Sequence, residues 1–504
     1  MKTIKLLTVC LSLCLLSCND WLEVRSNDVL LQEEVFSDGD GIRIAVNGIY
    51  RQISSRDLYG ENLTWGFASL LAQHYQGSYY LSDAQNRVAN YDWKHSDLQS
   101  ITERVWARSY NIIANCNNII QEAVKKDSSF FVHGQVEKDL ILGEMYGIRS
   151  LLHFEMLRLF VQAPSTGYTG PAIPYVTVYP TYQPVRLDLD SALIYIVGDM
   201  QRACELLAPV DTVAFESWSR VVTHRFKSGQ HAASWGSDEF INYRGTRMNY
   251  WAARALLARI YMWMGDRTRA YEHASAVYSV HQRGRYLWTP VANQSNNNVD
   301  NIHTKRWTEA LLAFYDQENY NNYEAVARTS LYSAYYPMFT MKNMADLFGV
   351  ETNDYRYQGL FRDNQYIVWK RPAGTSPAAL EVANYQGPLQ TVIRFPEMYH
   401  IMIECLMEQQ RFAEARDLFR VLKLQRGTND ANIPIDNTDT NADGEGDFKT
   451  ALINDIIREG LTEGQVFYMF KRLNRNVFNG PANVQMTPEK FTPDYPNNET
   501  AYGL

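Results

Sequence analysis

The sequence predicts a mainly α-helical protein. Apolar residues recur at helical spacing in long blocks, and two of those blocks repeat each other as helix–turn–helix pairs. The stretches between the blocks are long, polar and rich in tyrosine and tryptophan. Together these point to a scaffold of tetratricopeptide-type helical hairpins carrying long irregular inserts.

The first element is a targeting segment. Residues 1–20 read MKTIKLLTVCLSLCLLSCND, with a basic head of Lys2 and Lys5 and an apolar run from Leu6 to Leu16. A membrane-spanning helix needs about 20 apolar residues, so this run is a secretory signal instead. Leu15-Leu16-Ser17-Cys18 resembles a bacterial lipobox, which implies acylation of Cys18 and cleavage before it. Acyl chains there would anchor the chain to a membrane without a spanning helix. An ordinary signal with an incidental cysteine is the alternative. The expected organisation is a signal at 1–17 and a single domain over 18–504. Of six cysteines, Cys116, Cys204 and Cys405 remain, each within an apolar helical pattern and none in a CxxC pair. Such scattered cysteines are not a disulfide framework.

The helices follow in order. Gly41 to Ile53 places Ile42, Val46, Ile49 and Ile53 on one stripe, and Ile101 to Val124 carries Val105, Ile112, Asn115, Ile119 and Ala123. Val136 to Phe160 is rich in Leu and Met and stops before Pro164. An extended loop rich in Pro, Gly, Tyr and Thr runs to Pro184. Asp188 and Asp190 then open a helix from Leu189 to Leu207. The repeated hairpins span about 250–281 and 396–427. A shift of 145 residues aligns Ile260 with Cys405, Tyr261 with Leu406, Gly265 with Gln410 and Ala270 with Ala415. A last helical pair runs from Ala451 to Leu473.

Composition narrows the function. The 504 residues include 48 basic and 56 acidic side chains, a net charge of −8, which disfavours nucleic acid as a partner. Aromatic residues make up 13% of the chain, with 33 Tyr and 11 Trp. Trp106, Tyr110, Tyr261, Trp263, Tyr399 and Phe467 fall on apolar helix stripes and belong to a core. Many others gather in three excursions, at about 59–100, 215–249 and 284–396. Structureless loops of such length are uncommon in compact domains, and their aromatic density argues against disorder.

At this point the chain resembles the SusD/RagB family of outer-membrane lipoproteins from Bacteroidetes. The similarity is collinear: the lipobox with CNDWLEV, then VNGIYRQI, VWARSYNIIANCNNII, GEMYGIRSLLHFEMLRLF and the two hairpins. Asp354-Tyr355-Arg356 stands where a D-P-R element is usual. REGLTEGQVFYMFKRLN is similar to the family's REELAFEGQRFFDLKRW, matching at Glu459, Glu463, Gly464, Lys471 and Arg472. Val466 and Met469 replace the usual Arg and Asp, so this is a divergent member. The resemblance implies a protein at the cell exterior, on the outer membrane, that captures a nutrient, usually a glycan and in some relatives a peptide. It implies a SusC-like TonB-dependent transporter as partner, and no catalytic or cofactor requirement.

No H-E-x-x-H, G-x-S-x-G or G-x-x-x-x-G-K motif is present, so nothing selects an enzyme. A secreted glycan-processing enzyme and an adhesive surface lipoprotein remain as alternatives. Sugar binding requires flat apolar faces for the C–H side of a pyranose and polar groups for its hydroxyls. Tyr79, Tyr80, Trp93, Trp235, Tyr320 and Tyr323 lie among Asn, Asp, Arg and His and are expected to form a stacking platform, core packing being the alternative for each. Finally, DTNADGEGDFKT matches an EF-hand-type loop, with Asp439, Asn441, Asp443, Glu445 and Asp447 as oxygen donors for calcium. Thr450 stands where such loops carry a bidentate Glu, and a solvated acidic loop is the competing reading.

Overall fold

The structure is a computed structural model. It describes residues 34–75, 81–182, 184–226, 238–295, 302–327, 343–362, 366–367, 387–429, 431–440, 445–480, 482–497 and 499. The molecule is mainly α; among the described residues 59% are helical and the sheets are two-stranded ribbons.

Helix α1 (Gly39–Ile53) starts where the Gly41 amide donates to Asp38 Oδ1 at 2.8 Å, and buries the expected stripe of Ile42, Val46, Ile49 and Ile53. Two short helices follow in the first excursion, α2 (Phe67–Leu71) and α3 (Asp83–Ala89), the latter opened by a reciprocal capping box between Ser82 and Gln85. Helix α4 (Ser96–Lys125) buries Val105, Ile112, Ile119 and Ala123. Asn115, expected on that stripe, is half-exposed and bonds back to Asn111. The buried amide is Asn117, whose Nδ2 donates to the Val176 carbonyl at 3.0 Å.

Helix α5 (Gly134–Phe160) is buried almost all round from Leu140 onward, as befits a central helix. Its charged side chains survive burial because each meets a partner. Glu137 takes Arg43, Glu144 takes Arg244 and Arg247, Arg149 takes Asp199, and Glu155 takes Arg158. The segment expected as an extended loop holds a strand, β1 (Pro171–Pro174), paired antiparallel with β2 (Arg186–Asp188). Helix α6 (Leu189–Pro209) follows, with Asp188 accepting from the Ser191 amide at 2.8 Å, and lies against α5.

The first hairpin is α7 (Tyr250–Met264) and α8 (Arg267–Gln282). The third excursion then contributes strand β3 (Ala310–Tyr315) and helix α9 (Asn319–Ala327) before returning as strand β4 (Leu389–Arg394). β3 and β4 pair antiparallel, with Ala313 opposite Thr391. The second hairpin is α10 (Pro396–Glu408) and α11 (Phe412–Gln425), and α10 packs directly on α8. The repeat read from sequence extends to the backbone: the aligned turn residues Gly265 and Gln410 both adopt the left-handed conformation, at φ +85° and +59°. Ala270 and Ala415 are both fully buried where the helices close. Helices α12 (Asp447–Glu459) and α13 (Val466–Arg472) follow the second hairpin.

Candidate ligand-binding site

Strand β3 is where the three aromatic excursions meet. Ala310 to Phe314 are buried, and the Phe314 ring stands 5.0 Å from Tyr59 of the first excursion in an edge-on arrangement. The Ala313 amide donates to the Gly245 carbonyl of the second excursion at 2.9 Å. The third excursion supplies the strand itself and α9, whose Tyr323 ring packs edge-on to Trp65 at 5.2 Å. The Tyr75 hydroxyl in turn donates to the Trp65 carbonyl at 2.5 Å.

The strand surfaces at Tyr315, which is 53% exposed. Burial and then the nearby Tyr243 and Asp316 hold its phenol protonated above the ordinary range. Tyr243, half-exposed, lies near Tyr315, and the residues that follow the strand, Asp316, Glu318, Tyr320, Asn321 and Asn322, are half-exposed or exposed. Asp316 Oδ1 accepts from the Glu318 amide at 3.0 Å, and Asn321 Nδ2 donates to Glu318 at 2.7 Å. Aromatic rings rimmed by acceptors and amides suit a ligand with both a C–H face and hydroxyl groups.

The expected platform residues divide on inspection. Tyr320, in the first turn of α9, is half-exposed. Trp93 and Tyr323 lie in the core, 8% and 5% exposed: Trp93 packs against Phe67 and Tyr91, and its Nε1 donates to the Glu489 carbonyl at 2.9 Å. Tyr79, Tyr80, Trp235 and the lipobox Cys18 lie outside the described residues. Tyr315 and Tyr243 were not singled out from sequence. The signal for Tyr315 was the apolar run ALLAF ending in a tyrosine beside Asp316, read as loop rather than strand.

Of the calcium-loop donors, Asn441 and Asp443 lie outside the described residues. Asp439 is exposed, and its carbonyl accepts from the Asp447 amide at 2.9 Å. The Glu445 carboxylate faces Arg475 at 2.8 Å and Lys449 at 3.2 Å, which already supply its counter-charge. Among the described residues no group of three His, Cys, Asp or Glu side chains could hold a metal ion.

A buried ionic hub supports β4 and the second hairpin. Glu459 accepts from Arg426 (2.7 and 3.0 Å), Arg356 (3.0 Å) and Arg394. Glu309 accepts from Arg426 (2.7 and 2.9 Å) and Arg394 (3.0 Å). Asp455 joins Arg356 (2.6 Å) to His400 (2.9 Å). Burial opposes ionisation of Glu459, yet Arg426, Arg394, Arg306 and Arg356 outweigh it and hold the carboxylate well below the ordinary range. At Glu463 burial wins over Arg394, and the pKa is raised. Gly464 follows at φ +74°, where a Cβ would stand 2.0 Å from the Leu63 carbonyl. The REGLTEGQ turn therefore docks onto the first excursion by backbone contact while its carboxylates hold Arg394 at the end of β4.

This architecture matches solved structures across nearly the whole chain. A SusD superfamily protein from Bacteroides thetaiotaomicron aligns with a TM-score of 0.64 at 19% identity, covering 92% of this chain and 98% of that one. A SusD superfamily protein from Bacteroides vulgatus gives 0.66 at 17% identity, over 92% and 97%. A SusD-like carbohydrate binding protein from Bacteroides vulgatus gives 0.63 at 13% identity, over 92% and 96%. The fold is that of the SusD superfamily. No family model matches the chain, and no curated protein does. The fold is thus shared with these structures although fewer than one in five residues is identical.

Proposed function

We propose that this protein is a carbohydrate-binding lipoprotein of the cell surface that hands an oligosaccharide to a SusC-like TonB-dependent transporter. The observation that carries the reading is the convergence of all three aromatic excursions on β3 and α9, which leaves Tyr315 and Tyr320 at the surface among carboxylates and amides. Tyr79, Tyr80 and Trp235 belong to the same excursions and are proposed as further ligand contacts, while Tyr323 of α9 packs inward on Trp65. The SusD-like carbohydrate binding protein of the same fold supports the ligand class.

In this reading residues 18–504 act as one unit tethered through acylated Cys18 to the outer membrane. Among the described residues no helix is long and apolar enough to cross a membrane. Binding here uses stacking and hydrogen bonding, with no bond made or broken and no metal required. A glycan and peptide array probed with the purified chain tests the ligand class. Oligosaccharides should be retained; retention of peptides alone would refute it. Affinity capture from outer membranes tests the transporter, which should co-purify with the wild-type chain.

A further inference from the structure

The ribbon that brings Tyr315 to the surface has an irregular ladder. Ala310 stands opposite Arg394, but two residues of β3 then face one of β4, and the next step reverses the mismatch before Tyr315 arrives opposite Leu389. The Ala313 amide donates outside the ribbon, to the Gly245 carbonyl at 2.9 Å. Irregular pairing of this kind specifies register weakly, and a slip of one residue exchanges the two faces of a strand. Here that slip would turn Tyr315 inward and Phe314, packed on Tyr59, outward. Side chains grip the ribbon at both ends. At one end Asn319 Nδ2 donates to the Leu389 carbonyl at 3.3 Å, beside the bond of 2.8 Å from the Asp316 amide to the Pro388 carbonyl. At the other end Arg394 donates to Glu309 (3.0 Å), to the Glu459 carboxylate and its carbonyl (2.7 Å), and to both oxygens of Glu463 (2.8 and 3.1 Å).

Glu463 differs from the other two acids in its backbone and in its access to solvent. It stands between two left-handed residues, Thr462 at φ +66° and Gly464 at +74°. A buried, β-branched residue in that region is strained and persists only where its surroundings dictate it. Glu463 also lines a cleft of about 110 Å³ between α5, α7, α10 and this turn, partly open to solvent and suited to a few water molecules. Its carboxyl therefore exchanges a proton with solvent while the chain stays folded. The charges that act on it are Arg394 of β4, Glu459 of α12 and Arg306 ahead of β3. Arg158 of α5, Arg259 of α7, and Glu397 and His400 of α10 line the same cleft. Burial raises the Glu463 pKa, whereas the arginines hold Glu459 and Glu309 below the ordinary range. On acidification Glu463 is thus the first of the three acids to release Arg394.

We propose that Glu463 is a positioning residue for the β3–α9 surface: its ionised carboxylate completes the grip on Arg394 that fixes the register of β3 on β4, and mild acid loosens that grip and weakens ligand binding at Tyr315. The ligand half of this statement rests on the carbohydrate-binding reading above; the register half does not. Apparent affinity falls by the fraction of molecules whose ribbon is out of register.

The test pairs amide hydrogen exchange, which needs no ligand, with calorimetric titration of an array-selected oligosaccharide. Both are run on the wild-type chain, Glu463→Gln and Glu463→Asp at pH 7.5 and 5.0. Exchange rates are corrected for their intrinsic pH dependence, and α6 amides serve as the reference for global opening. In the wild type, protection of β3 and β4 relative to α6 should fall several-fold at pH 5.0, and affinity with it, by about threefold or more. Glu463→Gln should show the acid behaviour already at pH 7.5 and change little further at 5.0. Glu463→Asp keeps the charge and should keep the pH dependence. Melting curves establish that each variant is folded. Equal protection of the wild-type ribbon at both pH values overturns the proposal whether or not a variant folds. Glu463→Gln that matches the wild type at pH 7.5 overturns it as well, as does ribbon protection that changes while affinity does not. Should no array oligosaccharide bind the wild type at either pH, the carbohydrate-binding reading fails, and exchange at β3 and β4 alone decides the register.

Discussion

Arg426 and Glu459 face each other through two hydrogen bonds, Nε to Oε2 at 3.0 Å and Nη2 to Oε1 at 2.7 Å, with the guanidinium fully buried. This pair ties the end of the second hairpin to the last helices, and the same carboxylate receives Arg356 and Arg394 from the third excursion. Removing one partner leaves buried charge uncompensated, so Glu459→Gln should cost about 3–5 kcal/mol in urea unfolding. Arg426→Lys should also destabilise, because an ammonium cannot reproduce the fork that spans Glu309 and Glu459. The Glu459 pKa is depressed in the folded chain, so its contribution is present above the ordinary carboxylate range and is lost only as pH falls well below it.

Gly464 combines a left-handed backbone with a close approach to another segment. Its φ of +74° is the left-handed region, and a Cβ would collide with the Leu63 carbonyl. Gly464→Ala should therefore cost more than about 2 kcal/mol, read as a fall in melting temperature. A substitution at Gly134, also at positive φ but with open space around its Cβ, should cost less.

His153 makes stability depend on mild acid. It is fully buried between α5 and the β1 loop; Nδ1 donates to the Arg149 carbonyl at 2.9 Å and Nε2 accepts from the Val176 amide at 3.1 Å. Both bonds fit the neutral ring, and burial pushes its pKa down to about 3 from 6.5. Below pH 6.5 the unfolded chain takes up a proton that the folded chain refuses, so stability falls as pH drops toward 3. Between pH 6.5 and 5 this one group should remove roughly 1.5 kcal/mol. His74, also buried and pushed to about 3, adds to the slope. Urea titrations at the two pH values measure it, and His153→Gln should flatten it.

Helices α1, α4 and α6 were legible because each buries a stripe that recurs every three or four residues. The hairpin repeat was legible down to its turn, where Gly265 and Gln410 share a left-handed backbone. β3 and β4 were not, because ALLAFY and LQTVIR are short apolar runs whose pairing joins residues far apart in the chain. Trp93 and Tyr323 look like loop aromatics until Glu489 and Trp65 are brought beside them, which only the tertiary fold does. The ionic hub was equally silent: sequence displays Glu309, Arg356, Arg394 and Arg426 as scattered charges and gives no pairing.

Trp93 and Tyr320 should therefore behave oppositely. Trp93→Ala leaves a cavity beside Phe67 and Tyr91, and should cost about 3–5 kcal/mol in stability with ligand affinity retained in the folded fraction. Tyr320→Ala should leave the melting temperature within a degree or two and weaken oligosaccharide binding by about 1–2 kcal/mol. Paired melting and binding curves distinguish the two.

Calorimetric titration of an array-selected oligosaccharide into the wild-type chain and into the Tyr315→Ala/Tyr320→Ala double variant tests the central claim most directly. Saturable binding by the wild type and a loss of about tenfold or more in the folded double variant are predicted. Equal affinity in the two proteins would contradict a ligand platform on β3 and α9.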